Sequence, residues 1–250
     1  MLFDSHAHLD IFEDLDEVIK RAKDEGVEDI ITVGVDLESS IKAIEIAKRY
    51  EGVFAAVGFH PHNARYAETE KLEFLIKKAE KEEKVIGWGE IGLDFYKNYS
   101  PRDIQIKVFK EQLHIAKKLS LPVIIHDREA HEEVLSIIKE IGINKGVIHC
   151  FSGDSSLAKK FIEQGFFISI PGTVTYRKAS KIRRVVSEID IDHMLVETDC
   201  PFLTPYQKKG TRNEPAFIRF TVQEIASIKG MSFEEVAKIT TKNTKGFFRI

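Results

Sequence analysis

The chain has 250 residues, 37 basic against 40 acidic side chains for a formal net charge of −3, and 43% hydrophobic residues. Balanced charge together with 17 Phe, 6 Tyr and one Trp excludes a disordered polymer, and two cysteines cannot staple a secreted scaffold, so a reducing, cytoplasmic setting is expected. The apolar runs, such as residues 121–125, fall far short of the roughly 20 residues that cross a bilayer, and the opening Met-Leu-Phe-Asp-Ser-His lacks the charged and apolar regions of a signal peptide.

Along the chain, short apolar runs alternate with amphipathic stretches. The runs at residues 2–5, 29–33, 54–58, 85–89, 122–126, 146–149, 166–170 and 194–197 predict strands. Helical periodicity predicts helices over 15–25, 39–49, 71–83, 102–119, 131–141 and 157–164. The strands are rich in Val and Ile at consecutive positions, as in a parallel sheet buried on both faces. The seven prolines are scattered and no low-complexity linker interrupts the chain. One domain over 1–250 is therefore expected, an α/β chain folded as a (β/α)8 TIM barrel. A doubly wound open sheet is the alternative, but no GxGxxG or GxxxxGK[ST] follows the first strand.

The chemically capable residues fall at matching places in this pattern. His6 and His8 follow the first predicted strand, and His60 and His62 the third. Glu90 closes the fourth, His126 the fifth and His149 the sixth, while Asp199 lies just past the eighth. In a parallel barrel these strand ends open on one face, where active sites form. His6-Ala7-His8 places two imidazoles on one side of an extended segment, able to grip one cation. Imidazoles with carboxylates suit Zn²⁺, Mn²⁺, Ni²⁺ or Fe²⁺. The four histidines His6, His8, His126 and His149, with Glu90 and Asp199, exceed what one tetrahedral ion needs. Two ions sharing Glu90 as a bridge would use them all. Asp199 either caps the Asp-Cys-Pro turn or ligates a metal and accepts a proton from the nucleophilic water; the second reading is preferred.

Neither Ser152 nor Ser155 sits in a GxSxG elbow. Cys150 and Cys200 each follow a proposed ligand by one residue and are expected to be buried structural thiols. Positive charge is unevenly spread: residues 172–187 carry Arg177, Lys178, Lys181, Arg183 and Arg184 without an acid, and residues 204–213 add Lys208, Lys209 and Arg212. These eight cations leave the remaining chain at −11 and predict a cationic mouth that steers a polyanion. Tyr176, Tyr206, Phe95, Tyr96 and Tyr99 are candidates to stack on bases or to serve as ordinary core. Arg128, two residues past His126, is the best single candidate for a phosphate clamp.

The ordered set of motifs is highly specific. Asp4-Ser5-His6-Ala7-His8-Leu9, Gly58-Phe59-His60-Pro61-His62, Gly89-Glu90-Ile91-Gly92-Leu93-Asp94-Phe95, Leu121-Pro122-Val123-Ile124-Ile125-His126, Ile148-His149-Cys150-Phe151-Ser152-Gly153, Glu197-Thr198-Asp199-Cys200-Pro201 and Arg212-Asn213-Glu214-Pro215 together resemble the TatD family of metal-dependent hydrolases end to end. The resemblance implies a TIM barrel of the metallo-dependent hydrolase (amidohydrolase) type holding two divalent ions, with Mg²⁺, Mn²⁺, Zn²⁺ or Ni²⁺ as candidates. It assigns one ion to His6, His8, Glu90 and Asp199, and the second to His126, His149 and Glu90. It implies hydrolysis of phosphodiester bonds in DNA by a metal-activated water, 3′→5′ exonucleolytic digestion among its forms. Single-stranded DNA or 3′ ends are then the substrate, with Asp199 and Glu90 catalytic and His60, Arg128, Tyr176 and Arg212 on the substrate.

Two other functions compete. An amidohydrolase acting on a cyclic amide or lactone shares the barrel and the HxH start, but commonly bridges its metals with a carboxylated lysine where this chain has Glu90. A metal-dependent DNA-binding protein without turnover is the third. Since ligating imidazoles must be neutral, activity is expected to fall as pH drops below about 6.5.

Overall fold

The computed structural model describes residues 1–250. Eight strands, β1 (Leu2–Ala7), β2 (Val27–Val33), β3 (Val53–Val57), β4 (Val85–Asp94), β5 (Val123–Arg128), β6 (Gly146–Ile148), β7 (Phe166–Ile170) and β8 (Met194–Val196), follow one another in sheet order as they do in sequence. Between them lie α1 (Leu15–Asp24), α2 (Leu37–Arg49), α3 (Thr69–Ala79), α4 (Arg102–Leu119), α5 (His131–Ile141), α6 (Ser155–Glu163) and α7 (Ser180–Glu188). Two further helices, α8 (Ile218–Lys229) and α9 (Phe233–Phe248), end the chain. This is the expected (β/α)8 TIM barrel. No helix is long and apolar enough to cross a membrane.

The chain divides into two compact units, one of Met1–Ile31, Cys150–Ile162 and Phe167–Ile250, the other of Thr32–His149 and Glu163–Phe166. In the second unit β3, β4, β5 and β6 run parallel, with Val57 opposite Trp88, Gly92 opposite His126, Asp94 opposite Arg128 and Ile125 opposite Ile148. Every residue of β4 is buried, which a strand covered on both faces requires. Trp88, Phe59, Leu72, Leu75, Ile91, Leu93 and Phe109 fill the core of this unit.

Two buried glutamines of α4 hold the strand exits. Gln112 accepts the Phe59 N–H at 2.8 Å and donates to the Phe59 carbonyl at 2.9 Å, fixing the approach to His60. Gln105 treats Asp94 the same way, at 2.9 and 3.2 Å, and also donates to the Ser100 carbonyl at 2.8 Å. A side-chain amide has both a donor and an acceptor, so it replaces a strand partner where the ladder ends.

In the first unit β7 pairs with β8, Ser169 opposite Leu195 and Ile170 opposite Val196. The chain leaving β8 returns to β1: Asp199 donates its N–H to the His6 carbonyl at 2.9 Å, Ala7 bridges Cys200 in parallel, and His8 donates to the Cys200 carbonyl at 2.8 Å. Phe3, Leu9, Ile31 and Phe161 are fully buried here, and α9 packs on β1 and β8. A capping box of Ser232 and Glu235 starts α9, and Gly230 in the left-handed region ends α8.

The largest boundary difference is at β4. Sequence periodicity ends it near Gly89, but pairing with β5 carries it on to Asp94, because Ile91, Gly92 and Leu93 find partners in Ile125, His126 and Asp127. Gly92 sits at φ +141°, and a Cβ added there would lie 2.0 Å from the His126 carbonyl oxygen. Gly92→Ala is therefore expected to cost about 3 kcal/mol, since the obstacle is backbone that cannot yield; thermal denaturation should show a fall of several degrees in melting temperature.

Candidate metal centre

The second unit gathers its chemistry around one carboxylate. Gly89 precedes it with no room for a side chain, since a Cβ at this position would fall 2.6 Å from Ile124 Cβ and 2.8 Å from the Ile124 carbonyl oxygen. Glu90, 3% exposed, directs Oε1 at three imidazoles: His126 Nδ1 at 2.8 Å, His149 Nε2 at 2.9 Å and His60 Nε2 at 3.4 Å. Each histidine sits at the end of a different strand, and the donor atoms of His60, Glu90 and His126 lie within 4.8 Å of one another. Burial opposes ionisation of Glu90, yet the imidazoles of His149, His60 and His126 hold its carboxyl well below the usual range.

A second carboxylate, Asp94, stands behind this group. Its Oδ2 meets His62 Nε2 at 2.8 Å and His126 Nε2 at 3.2 Å. Its Oδ1 accepts the backbone N–H groups of Tyr96 at 3.0 Å and Lys97 at 2.7 Å. Burial would raise its pKa, but hydrogen bonds from His126, His62 and Lys97 bring it far down. Burial lowers the pKa of His126, and the bonds to Asp94 and Glu90 more than offset this and raise it. His60 falls to about 4, chiefly through burial, so it is neutral at physiological pH. Its Nδ1 accepts the His62 backbone N–H at 3.1 Å, which places the ring proton on Nε2, toward Glu90.

The first unit holds the other candidate ligands. His8 Nε2 lies 3.4 Å and His6 Nε2 3.8 Å from Asp199 Oδ1, and the two rings meet edge to face at 5.1 Å. Asp199 adopts φ +55°, a left-handed conformation that aspartate tolerates. Buried Asp4 fastens this group: its Oδ1 accepts the N–H groups of His6 at 3.3 Å and Thr198 at 2.9 Å, and its Oδ2 accepts the Thr198 hydroxyl. Burial raises the Asp4 pKa to about 7 against these hydrogen bonds. Asn213 donates to the carbonyls of Thr198 at 2.9 Å and Phe202 at 2.6 Å, closing the loop around Asp199.

The expected ligands thus assemble as His6, His8 and Asp199 in one unit, and Glu90, His126 and His149 in the other. His60, expected on the substrate, reaches Glu90. The substrate expectations for Tyr176 and Arg212 meet other partners. The Tyr176 hydroxyl donates to the Thr204 carbonyl at 3.0 Å, and its ring packs on Tyr206. Arg212 pairs with Asp14 and stacks 4.5 Å over Phe12. Of the other arginines in the expected cationic mouth, Arg183 pairs with Glu224 and Arg184 with Glu188. Arg128 carries no carboxylate and lies 4.4 Å over the Tyr96 ring. Only one thiol is as expected: Cys200 is buried, its pKa driven up by burial, whereas Cys150 is half-buried.

Sequence reasoning gave no role to Asp94 or Asp4. Their spacing carried a signal, since Asp4 precedes His6 by two and Asp94 follows Glu90 by four, even intervals that share a strand face.

A (β/α)8 barrel with a buried His/Glu/Asp cluster of this composition defines a metal-dependent hydrolase. The chain belongs to the family described as TatD related DNase, whose profile matches residues 3–249. It is 46% identical to an uncharacterized metal-dependent hydrolase of Bacillus subtilis, YabD, over the full length of both chains. It is 34% identical to another, YcfH of Escherichia coli, covering all of this chain and 96% of the relative. The crystal structure of the TatD homolog YjjV from Escherichia coli superposes with a TM-score of 0.94 at 30% identity, covering all of this chain and 98% of that one. An organophosphorus hydrolase of Deinococcus radiodurans shares the fold alone, with a TM-score of 0.64 at 13% identity over 99% and 92% of the two chains.

Carboxylates that orient metal-binding imidazoles typically contribute 10–100-fold to affinity. Asp94→Asn is therefore expected to weaken divalent-metal binding about 10–100-fold, measured by calorimetric titration of metal-stripped protein. Unchanged affinity would remove Asp94 from the site.

Proposed function

We propose that this protein is a two-metal-dependent hydrolase that cleaves phosphodiester bonds in DNA, with single strands or 3′ ends as its substrate. The observation that carries the reading is the buried Glu90 carboxylate facing His60, His126 and His149. Burying such a concentration of acid and imidazole is costly, and a divalent ion is the partner that this donor chemistry fits. In this reading His6, His8 and Asp199 would hold one ion, and Glu90, His126 and His149 would hold the other. Metal of this kind supplies a water of lowered pKa and neutralises charge on the oxygens of the reacting phosphate.

The chain's own residues supply the rest. Asp199, the one exposed enough to meet water among the carboxylates of the site at 13% of its side chain, accepts the proton from the attacking water. Neutral His60 directs its Nε2 proton toward Glu90 and keeps that carboxylate oriented. Asp94 holds His126 from behind, so the ring cannot turn away from Glu90. Arg128, exposed and free of any carboxylate, presents its guanidinium to a substrate phosphate in a fork suited to two oxygens.

Alanine at Glu90 or at Asp199 is expected to lower the turnover of end-labelled single-stranded oligonucleotides by at least about 100-fold, the scale of a lost acid–base group. Retained nuclease activity in either purified variant would sink the reading. Chelation should abolish activity, and adding back Mg²⁺, Mn²⁺ or Zn²⁺ should restore it. A panel of lactones and cyclic amides run beside the oligonucleotides separates this function from the amidohydrolase alternative, because faster turnover of the small cyclic substrates reverses the assignment.

A further inference from the structure

The loop that follows β4 carries a feature that the hydrolytic chemistry does not use. Tyr96 and Tyr99 are 60% and 57% exposed, among the most exposed large rings of the chain. They are not loose. The Asp94 carboxylate that holds His62 and His126 also accepts the N–H groups of Tyr96 and Lys97, so this loop is fastened to the same side chain as the metal-site imidazoles. The Tyr99 ring packs against His62 with centroids 4.7 Å apart. Asp94 stands opposite Arg128 in the β4–β5 register, and Arg128 lies two residues beyond His126 on the same strand, hence on the same face.

Three cations accompany the rings. Arg128 sits 4.4 Å over Tyr96, with Lys97 at 5.5 Å from the same ring, and Arg102 lies 4.5 Å over Phe95. None of the three forms an ion pair with a carboxylate, and Arg128 and Lys97 are exposed. The contrast with Arg183, Arg184 and Arg212 is physical: those guanidiniums are already neutralised by Glu224, Glu188 and Asp14. Flat rings beside uncompensated cations are what a single-stranded polynucleotide needs, since every base has a face to stack and every linkage a charge to neutralise.

We propose that Tyr96, Tyr99 and Arg128 form a binding subsite for one nucleotide unit of single-stranded DNA, the rings stacking the base and the guanidinium taking the adjoining phosphate. The subsite lies at the β4 and β5 strand ends. This inference rests on the nuclease reading for its substrate class. Stacking of this kind is sequence-tolerant, so the subsite would select single strands over duplex without reading base identity.

The test is fluorescence anisotropy of a labelled, hydrolysis-resistant phosphorothioate oligothymidylate on metal-loaded protein, across a salt series. Tyr96→Ala and Tyr99→Ala should each weaken binding about 10-fold, as loss of one base stack does, and Tyr99→Phe should retain wild-type affinity. Arg128→Ala should reduce the slope of log affinity against log salt by about one, the signature of one lost phosphate contact. Phe74→Ala, removing an exposed ring of α3, should leave binding unaltered, and thermal melts check that every variant is folded. Wild-type affinity and salt slope in all three subsite variants, or no oligonucleotide binding by the wild type, overturns the subsite. Cleavage of ordinary oligonucleotide by the wild type, measured in parallel, separates the two claims. Cleavage with unaltered binding in the variants removes the subsite alone, and binding through these residues without cleavage removes the nuclease reading alone.

Discussion

A carboxylate buried among imidazoles governs the second unit of this protein. Glu90 is 3% exposed, and a charge so far from water persists only where partners compensate it. His60, His126 and His149 provide that compensation from the ends of three separate strands. The constraint spreads outward into the backbone. Gly89 and Gly92 flank Glu90 because Ile124 and the His126 carbonyl leave no volume for a Cβ. Gln105 and Gln112 then tie down the exits of β4 and β3, so the imidazoles and the carboxylate arrive at fixed separations.

The first unit solves a similar problem with a different anchor. Asp4 binds the backbone of His6 and both the backbone and hydroxyl of Thr198, joining β1 to the chain that leaves β8. Those bonds fix the backbone that carries His6 and leads to Asp199, while His8 and His6 approach the Asp199 carboxylate at 3.4 and 3.8 Å. In both units a buried aspartate stands one step behind the candidate ligands. Asp94 meets the rings of His62 and His126 and sets which way they face, whereas Asp4 holds the backbone that carries His6 and leads to Asp199.

The distribution of charge shows where linear reading reaches its limit. Counting side chains places a cationic cluster in the loops after β7 and β8, but the count is blind to partners. Glu224, Glu188 and Asp14 lie 41, 4 and 198 residues from the arginines they neutralise. Only the fold brings the distant two together, and it leaves Arg128 and Lys97, which local composition did not single out as a cluster, without acidic partners.

The alternation of Val- and Ile-rich runs with amphipathic stretches already pointed to a covered parallel α/β sheet, because only covered sheets tolerate strands apolar on both faces, and eight such runs without a nucleotide-binding glycine motif favoured the (β/α)8 barrel over an open sheet. Five of the six candidate ligands were legible because each sits at or near the carboxyl end of a strand or just beyond it, whereas Glu90, expected to end the fourth strand, lies inside β4 four residues before its last residue. Less was legible at the chain's end, where α8 and α9 follow β8 beyond the repeating pattern, and at β4, whose extension to Asp94 depends on pairing with β5. The spacing of Asp94 and Asp4 hinted at a shared face with the ligands but not at their part as anchors, since an aspartate's role depends on which donors surround it. Strand identity and ligand type are local properties, set by residue chemistry and spacing. Which carboxylate orients which imidazole, and which cation is left uncompensated, are long-range properties that only the tertiary structure decided, because they arise from contacts between segments that composition and periodicity treat as independent.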